Sequence, residues 1–440
     1  MITSITIAVV TCAMLITTVL MKLRLKIGKY YLDVYPLVPL IGAITAIALG
    51  TVSLSDIADK FLSRDASNPV KILVLFISMS LLSVLLDESG FFEYVAEKIA
   101  ERAGDSQKRI FFAVYVTVSV LTVFTSNDVV ILTFTPFICQ FCKKAKIDSL
   151  PYVVAEFVGA NTWSLLFLIG NPTNVFLSQA YNVTFGEYFL RMWLPTLFCG
   201  VSSFVCLYII FGKQLQKPVY RSINDVKLKD KTVAVIDCAF LGVCTITIAL
   251  ASYIRLEMWY VALAMTLLSY LTVVILKLVK HQDETIVARS LKRAPWQMIP
   301  LVIGMFIIVM SLVSSGATGA ICDIIGTKAP IIKYGIVSTL TSNLTNNIPM
   351  SVLFSSITAE ITDATLQSKA VYATVIGSNV GAFLTPLGAL AGLMFTDIVK
   401  RYDEKFGFFK FVKYGAVVAV VSLVFGLIGL YLSFMLYPVF

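Results

Sequence analysis

Four polar residues in a row, Thr125-Ser126-Asn127-Asp128, interrupt two strongly apolar runs and bring together a hydroxyl, an amide and a carboxylate. Such hard oxygen atoms suit Na⁺ or a proton, and free backbone N–H groups at a helix start suit an anion. A second interruption, Thr341-Ser342-Asn343-Leu344-Thr345-Asn346-Asn347, has apolar sequence on both sides as well. Each break has a companion downstream. Gly159-Ala160-Asn161 is followed by Gly170, and Gly377-Ser378-Asn379 by Gly388, so the spacing G-x-N-x8-G occurs twice. Upstream, Met79-Ser80-Leu81 with Ser89-Gly90 resembles Met310-Ser311-Leu312 with Ser315-Gly316. Three correspondences in one order argue for an internal duplication.

The elements that hold these residues must lie in lipid. The chain has 440 residues, 58% hydrophobic and 14% charged, with a mean hydropathy of +0.87, too little polar material for a water-soluble globule. It reads as an all-α polytopic membrane protein. The net charge of +9 gathers in connectors between apolar runs, which encodes orientation in the membrane and leaves nucleic acid without a role. Eight cysteines fall almost entirely inside apolar runs, with a single C-x-x-C pair, Cys139 and Cys142, that reads as two small packed residues. The one histidine, His281, lies in a basic connector, so histidine chemistry within the membrane is excluded, and with it most intramembrane enzymes.

Run lengths and basic clusters give a threading. Residues 1–212 form a first half, 213–231 a basic linker on the cytoplasmic side, and 232–440 a second half. Each half has five spans and one re-entrant hairpin, about 10–11 transmembrane helices in all, with Tyr35 to Leu54 as the second span. An apolar stretch over 109–142 has basic residues at both ends and too little length for two full spans at 1.5 Å per residue, so it is read as a hairpin entering from the cytoplasm. It turns at Ser126-Asn127-Asp128; the second hairpin covers 330–356, enters from outside and turns at Ser342 to Asn347, its Thr341-Ser342-Asn343 matching Thr125-Ser126-Asn127. Broken helices cover 151–181 and 370–399, where Gly and Pro interrupt them. Phe91 to Gly104 reads as a helix lying along the membrane surface. Five spans reverse the second half relative to the first and place both termini outside. This is the inverted-repeat plan of secondary transporters, in which helix breaks meet near mid-depth.

On that plan the residues expected to hold solute or ion are Ser126, Asn127, Asp128, Asn161, Thr162, Asn171, Pro172, Thr173, Asn174, Ser342, Asn343, Asn346, Asn347, Ser378, Asn379, Thr385 and Pro386. Ser126, Asn127, Ser342 and Asn343 are the expected Na⁺ ligands, the coupling ion being Na⁺ or H⁺ with no other cofactor. Some of these side chains serve as helix caps. Asp128 is functional by default, because a carboxylate in lipid is costly. Glu156 fits a structural hydrogen bond as well as a functional one, and Asp237 reads as interfacial.

The stretches Ser126 to Pro136, Ser342 to Pro349 and Val375 to Leu390 resemble the arsenite efflux permease branch of the ion transporter superfamily. That superfamily also holds sodium/proton antiporters and sodium-coupled dicarboxylate, citrate and sulfate symporters. The resemblance spans both halves. It implies a transporter in the plasma membrane, moving a small anion or oxyanion by motion of a hairpin-bearing unit against a scaffold, commonly in a homodimer. For the arsenite branch it also implies a cytoplasmic ATPase subunit as partner. This chain has Ser378-Asn379 where arsenite permeases carry an acidic residue. Its Gly170-Asn171-Pro172-Thr173-Asn174 is closer to the wider family's glycine-proline signature.

Overall fold

A computed structural model describes residues 1–21, 23–27, 30–64, 68–104, 106–217, 228–251, 256–281, 285–402 and 406–438. Most of the linker expected at 213–231, and the basic residues Lys22, Lys29 and Lys405, lie outside them. Among the described residues eight helices are long and apolar enough to cross a bilayer. Seven coincide with expected spans and the eighth is the leading arm of the first hairpin, Gln107–Phe124. The expected second span is shorter than predicted, a 3-10 turn Tyr35–Leu37 followed by helix Val38–Ala48. Helix Leu54–Leu62 then starts afresh at the Ser53 cap, whose hydroxyl accepts from Asp56 N–H.

One element departs from an all-α chain. Arg24–Ile27 pairs antiparallel with Tyr30–Asp33, Arg24 opposite Asp33, and their side chains meet at 2.8 Å. The cause is in the sequence, because Arg24-Leu25-Lys26-Ile27 alternates polar and apolar as a strand does. Helices Thr285–Arg293 and Ala317–Ile325 were not expected either.

The two halves follow the same order of elements. Ser89-Gly90 and Ser315-Gly316 occupy the same structural place, each glycine left-handed (φ 81° and 71°) and opening a short helix, Phe91–Ala103 or Ala317–Ile325. Gly104 and Gly326 close those helices, again at positive φ (68° and 73°), where a side chain would be strained. Phe91–Ala103 does not lie free on the membrane surface. Its Phe92 is fully buried and packs edge-on against Phe134 of the first hairpin, because one face is too apolar to leave uncovered.

Packing in the scaffold is exchanged between halves. Pro69–Glu88 lies against Lys231–Ala251 and Met258–Val279, with Thr266 Oγ1 donating to the Ser78 carbonyl at 3.0 Å and Tyr270 Oη to Leu81 at 3.2 Å. Met298–Ser314 lies against Ile2–Leu20 and Val38–Ala48, so closely that a Cβ on Gly304 would stand 2.4 Å from the Pro39 carbonyl carbon. The closing helices of the halves, Phe185–Phe211 and Phe408–Leu436, run along each other through small residues. Gly426 faces Cys199 and Gly429 faces Pro195, a close approach of the kind lipid-embedded helices use in place of hydrophobic burial. Their outer faces expose Ile209, Val420 and Phe425, as a bilayer solvent permits.

Basic connectors gather on one face. There Arg293 pairs with Asp87 and Glu88, Lys229 with Glu93 at 3.1 Å, and Gln107 Nε2 donates to the Lys217 carbonyl.

Candidate functional site

The first hairpin is Gln107–Phe124 and Asn127–Lys144, joined by Thr125 and Ser126. Each arm has 18 residues, about 27 Å, so length alone does not separate a hairpin from two short spans. The tip does. Thr125, Ser126 and Asn127 are buried in protein, whereas a loop between two full spans would emerge in water. Asn127 Nδ2 donates to Asn161 Oδ1 at 3.0 Å, and Asn161 Nδ2 donates to the Phe157 carbonyl at 2.8 Å. Ser126 Oγ and Asn127 Oδ1 are buried without a hydrogen-bond partner among the described residues. Beside them Asp128 is half-buried, with no hydrogen bond or ion pair on its carboxylate among the described residues.

The second hairpin, Pro330–Thr345 and Asn347–Ala359, turns on Asn346 alone. This corrects the wider turn expected at 342–347. It also corrects the pairing of Thr341-Ser342-Asn343 with Thr125-Ser126-Asn127, since Ser342 and Asn343 sit in the last turn of the leading arm. Asn346 holds φ 75° and ψ 154°, a region that costs a non-glycine residue about 1–3 kcal/mol. Its side chain caps Ile348 N–H at 3.4 Å. Asn343 has no group to spare. Its Nδ2 donates to the Thr339 and Gly381 carbonyls, and its Oδ1 accepts from Thr385 N–H at 3.1 Å and Thr385 Oγ1 at 2.6 Å. Ser342 Oγ donates to the Thr339 carbonyl at 2.8 Å. The side-chain groups of these two are thus engaged by protein, whereas Ser126 Oγ and Asn127 Oδ1 are unpaired among the described residues.

The broken helices explain the repeated glycine spacing. Leu150–Trp163 resumes as Pro172–Gln179, and Ala364–Gly381 as Leu390–Lys400. Between them the chain folds back on itself. A Cβ on Gly170 would stand 2.4 Å from the Ser164 carbonyl oxygen, and one on Gly388 2.1 Å from that of Gly381. Only glycine fits. Asn171 and Ala389 start the resumed helices with nearly the same backbone (φ −147° and −149°). Pro172 follows its cap at a helix start, while Pro386 lies earlier, in the 3-10 turn Pro386–Gly388.

These breaks meet at Asn379, which is fully buried. Its Oδ1 accepts from Asn171 Nδ2 at 2.8 Å and Ser164 Oγ at 3.1 Å, and its Nδ2 donates to Asn174 Oδ1 at 2.7 Å and the Val375 carbonyl at 2.9 Å. Asn174 Nδ2 reaches the Ser164 carbonyl at 2.8 Å. Ser164 was missed from sequence; it lies one helical turn past Asn161, on the same face. Thr162 Oγ1 bonds back to Val158 and Thr173 Oγ1 to Asn171, so both are local fastenings. Asn346 Nδ2 touches the Leu387 carbonyl at 3.4 Å, Asn347 starts the return arm, and Ser378 Oγ is buried without a partner.

Each hairpin also packs across the halves. The first return arm lies against Leu390–Lys400, with Gln140 Nε2 at 3.3 Å from Tyr402 Oη. The second lies against Pro172–Gln179, with Tyr181 Oη donating to the Ser355 carbonyl at 2.7 Å. The first tip joins the Asn379 network through Asn161 and Ser164, and the second is fastened to its own break at Gly381, Thr385 and Leu387. The unspent oxygens of Ser126, Asn127, Asp128 and Ser378 can accept from a solute or ligate a hard cation. Asp237 is not interfacial as expected but fully buried in the scaffold, accepting from Ser269 Oγ at 2.7 Å. Cys139 and Cys142 are buried in the first return arm.

Comparison with known proteins agrees. An arsenical pump membrane protein of Escherichia coli is 26% identical over 376 residues, covering 82% of this chain and 85% of the relative. A 46 kDa membrane protein of Mycobacterium leprae is 23% identical, with 90% and 92% covered. The crystal structure of the Alcanivorax borkumensis YdaH transporter superposes with a TM-score of 0.55 at 12% identity, covering 99% of this chain and 98% of that one, a likeness of fold. The family profile described as "Citrate transporter" matches residues 1–372. With its helix breaks meeting in one buried polar network, the chain belongs to that family of multi-pass membrane transporters.

Proposed function

We propose that this protein is a secondary active transporter that moves a small inorganic or organic anion or oxyanion, of the arsenite or antimonite type, out of the cell. Coupling is to H⁺ or Na⁺. The observation that carries this reading is the first hairpin tip, where Ser126 Oγ, Asn127 Oδ1 and the Asp128 carboxylate stand together without hydrogen-bond partners among the described residues. A solute or ion completes what the protein leaves open. Ser126 and Asn127 would hold Na⁺, if Na⁺ is the coupling ion, as two of its oxygen ligands. Asn161, Asn171, Asn174, Asn343, Asn379 and Thr385 shape the site by bonding one another. Transport follows when the unit of hairpins and broken helices shifts against the scaffold and opens the tips to one side, then the other. Basic connectors face the cytoplasm in this reading, both termini lie outside, and the protein works as a homodimer in the plasma membrane.

A second reading, sodium-coupled uptake of a dicarboxylate or citrate, draws on the same oxygen-rich donor set, which suits Na⁺ better than a thiophilic solute. Uptake into proteoliposomes under imposed Na⁺ or H⁺ gradients separates the two. Arsenite or antimonite flux driven by protons supports the first, and citrate or succinate flux requiring Na⁺ supports the second. Gradient-independent flux of every solute would remove both. Asp128→Asn abolishes a proton-driven cycle; full retained activity counts against Asp128.

A further inference from the structure

Glu156 stands apart from the network around Asn379, yet it is fully buried in Leu150–Trp163. Its polar neighbour among the described residues is Thr135, on the return arm of the first hairpin. Thr135 Oγ1 lies 2.9 and 3.1 Å from the two carboxyl oxygens and 2.7 Å from the Ile131 carbonyl. One hydroxyl has one proton to give, and three oxygens surround it. An ionised Glu156 would hold a single hydrogen bond from the described residues and no cation among them, which a fully buried carboxylate does not sustain. A protonated Glu156 closes the arrangement. Its O–H donates to Thr135 Oγ1, whose own proton goes to the Ile131 carbonyl.

Other titratable groups on the surrounding elements are engaged elsewhere or out of reach. On the leading arm Tyr115 donates to the Gly200 carbonyl at 2.7 Å, and on its own helix Tyr152 donates to Gln107 Oε1 at 3.0 Å. Along the return arm Asp128 lies about two turns before Thr135, and Cys139 and Cys142 lie about one and two turns after it. Cys199 of Phe185–Phe211 bonds the Ser422 carbonyl. From the second half, Tyr372 packs on Tyr188, Lys369 lies over Phe434, and Tyr414 packs on Phe211. Asp397 of Leu390–Lys400 has an interaction of its own. At the matched position of the second half, three residues before Gly377, stands Thr374, bonded to the Ala370 carbonyl.

We propose that Glu156 is a proton-binding site of the transport cycle, held at the joint between the first hairpin and the first broken helix, with Thr135 as its positioning residue. This rests on the transporter reading above. While hairpin and helix are packed, the proton is sequestered. Separation of the return arm takes Thr135 away, admits water and lets the Glu156 O–H bond break, with the proton passing to that water. The carboxylate then repacks only after taking a proton from the side it faces. Asp128, at the tip, is a separate group that meets the solute.

Two measurements on the full-length protein test this. Infrared spectra of the reconstituted protein at neutral pH should show a protonated-carboxyl stretch that Glu156→Gln removes; an unchanged spectrum overturns the proposal. In proteoliposomes, Glu156→Gln should keep solute exchange, with arsenite or citrate on both sides, within about twofold. It should lose at least about tenfold in accumulation driven by a pH gradient. Wild-type accumulation by the variant overturns it. If Glu156→Gln does not fold, Thr135→Val decides, since a displaced pH profile with unchanged Tm supports the proposal and an unchanged profile overturns it. Should the wild type accumulate neither solute while the carboxyl band is present, the transporter reading is what fails, and the coupling role falls with it.

Discussion

The two hairpins are built from one plan and finished differently. Around the second, Asn343 is enclosed by Thr385 and Gly381, and the leading arm lies so close to Ala364–Gly381 that a Cβ on Gly377 would stand 2.0 Å from Ser338 Oγ. Around the first, the matching glycine, Gly159, faces the ring of Tyr115 at 3.3 Å, and the tip leaves Ser126 Oγ and Asn127 Oδ1 unpaired. Both acids of the polar core, Asp128 and Glu156, belong to the first hairpin and its broken helix. One half thus supplies rigidity, and the other keeps the open valences that chemistry needs. Duplication gave two equal units, and the site arises where they ceased to be equal.

The largest test of that contrast is Asn379→Ala against Asn161→Ala. The first takes the partner from Asn171 Nδ2 and Asn174 Oδ1, both buried, and costs about 3–5 kcal/mol, and the second strands one buried amide group, Asn127 Nδ2, and costs about 1–3 kcal/mol. Thermal unfolding in detergent measures both, and equal losses would erase the difference between halves. Next comes Gly377→Ala, which overpacks against Ser338 and the Gly335 carbonyl and costs about 1–3 kcal/mol, while Gly159→Ala, meeting a ring edge, stays under about 1 kcal/mol. A smaller effect separates the tips by function. Asn127→Ala weakens solute or ion binding about tenfold beside a fall in Tm of the size Asn161→Ala gives, and Asn343→Ala lowers Tm while leaving affinity near wild type. Binding isotherms with Na⁺ and the transported anion read the first, and an affinity loss at Asn343 equal to that at Asn127 would break the comparison.

Smallest is the pair of half-buried Lys71 and exposed Glu257, 2.7 Å apart at the start of Met258–Val279. Burial opposes the charge on Glu257, but the Lys71 ammonium and the Trp259 indole N–H outweigh it and hold the carboxyl below its ordinary range. The stabilisation is therefore present above the unfolded value and is lost as pH falls through the folded one. Discounted for solvent screening, Lys71→Met changes stability by less than about 1 kcal/mol, and the change fades under acid. Tm followed against pH checks the sign.

Much of this was legible from residues alone. Glycine and proline cannot continue a buried helix, so Gly170-Asn171-Pro172 and Thr385-Pro386-Leu387-Gly388 marked the breaks, and the doubled G-x-N-x8-G marked their fold-back. The hairpin tips were harder. Thr341-Ser342-Asn343 matches the first tip by letter, but a hairpin turns where the backbone can, and Asn346 tolerates positive φ better than its neighbours. Which amides are spent was not legible, because Asn379 meets Asn171 and Asn174 only through contacts 208 and 205 positions apart. The ribbon at Arg24–Asp33 was hidden by reading its lysines and arginine as charge alone, although their alternation with leucine and isoleucine was in view.

The exchanged scaffold has a consequence for how the protein is made. Since Pro69–Glu88 rests on spans that the ribosome has not yet delivered, and Met298–Ser314 seals the first two, the amino-terminal portion leaves the translocon with its partner surfaces bare. It must wait. Two polypeptides severed between residues 217 and 228 should each be short-lived when synthesised alone and reassemble when synthesised together, as though a dimer of ancestral units had been tied end to end.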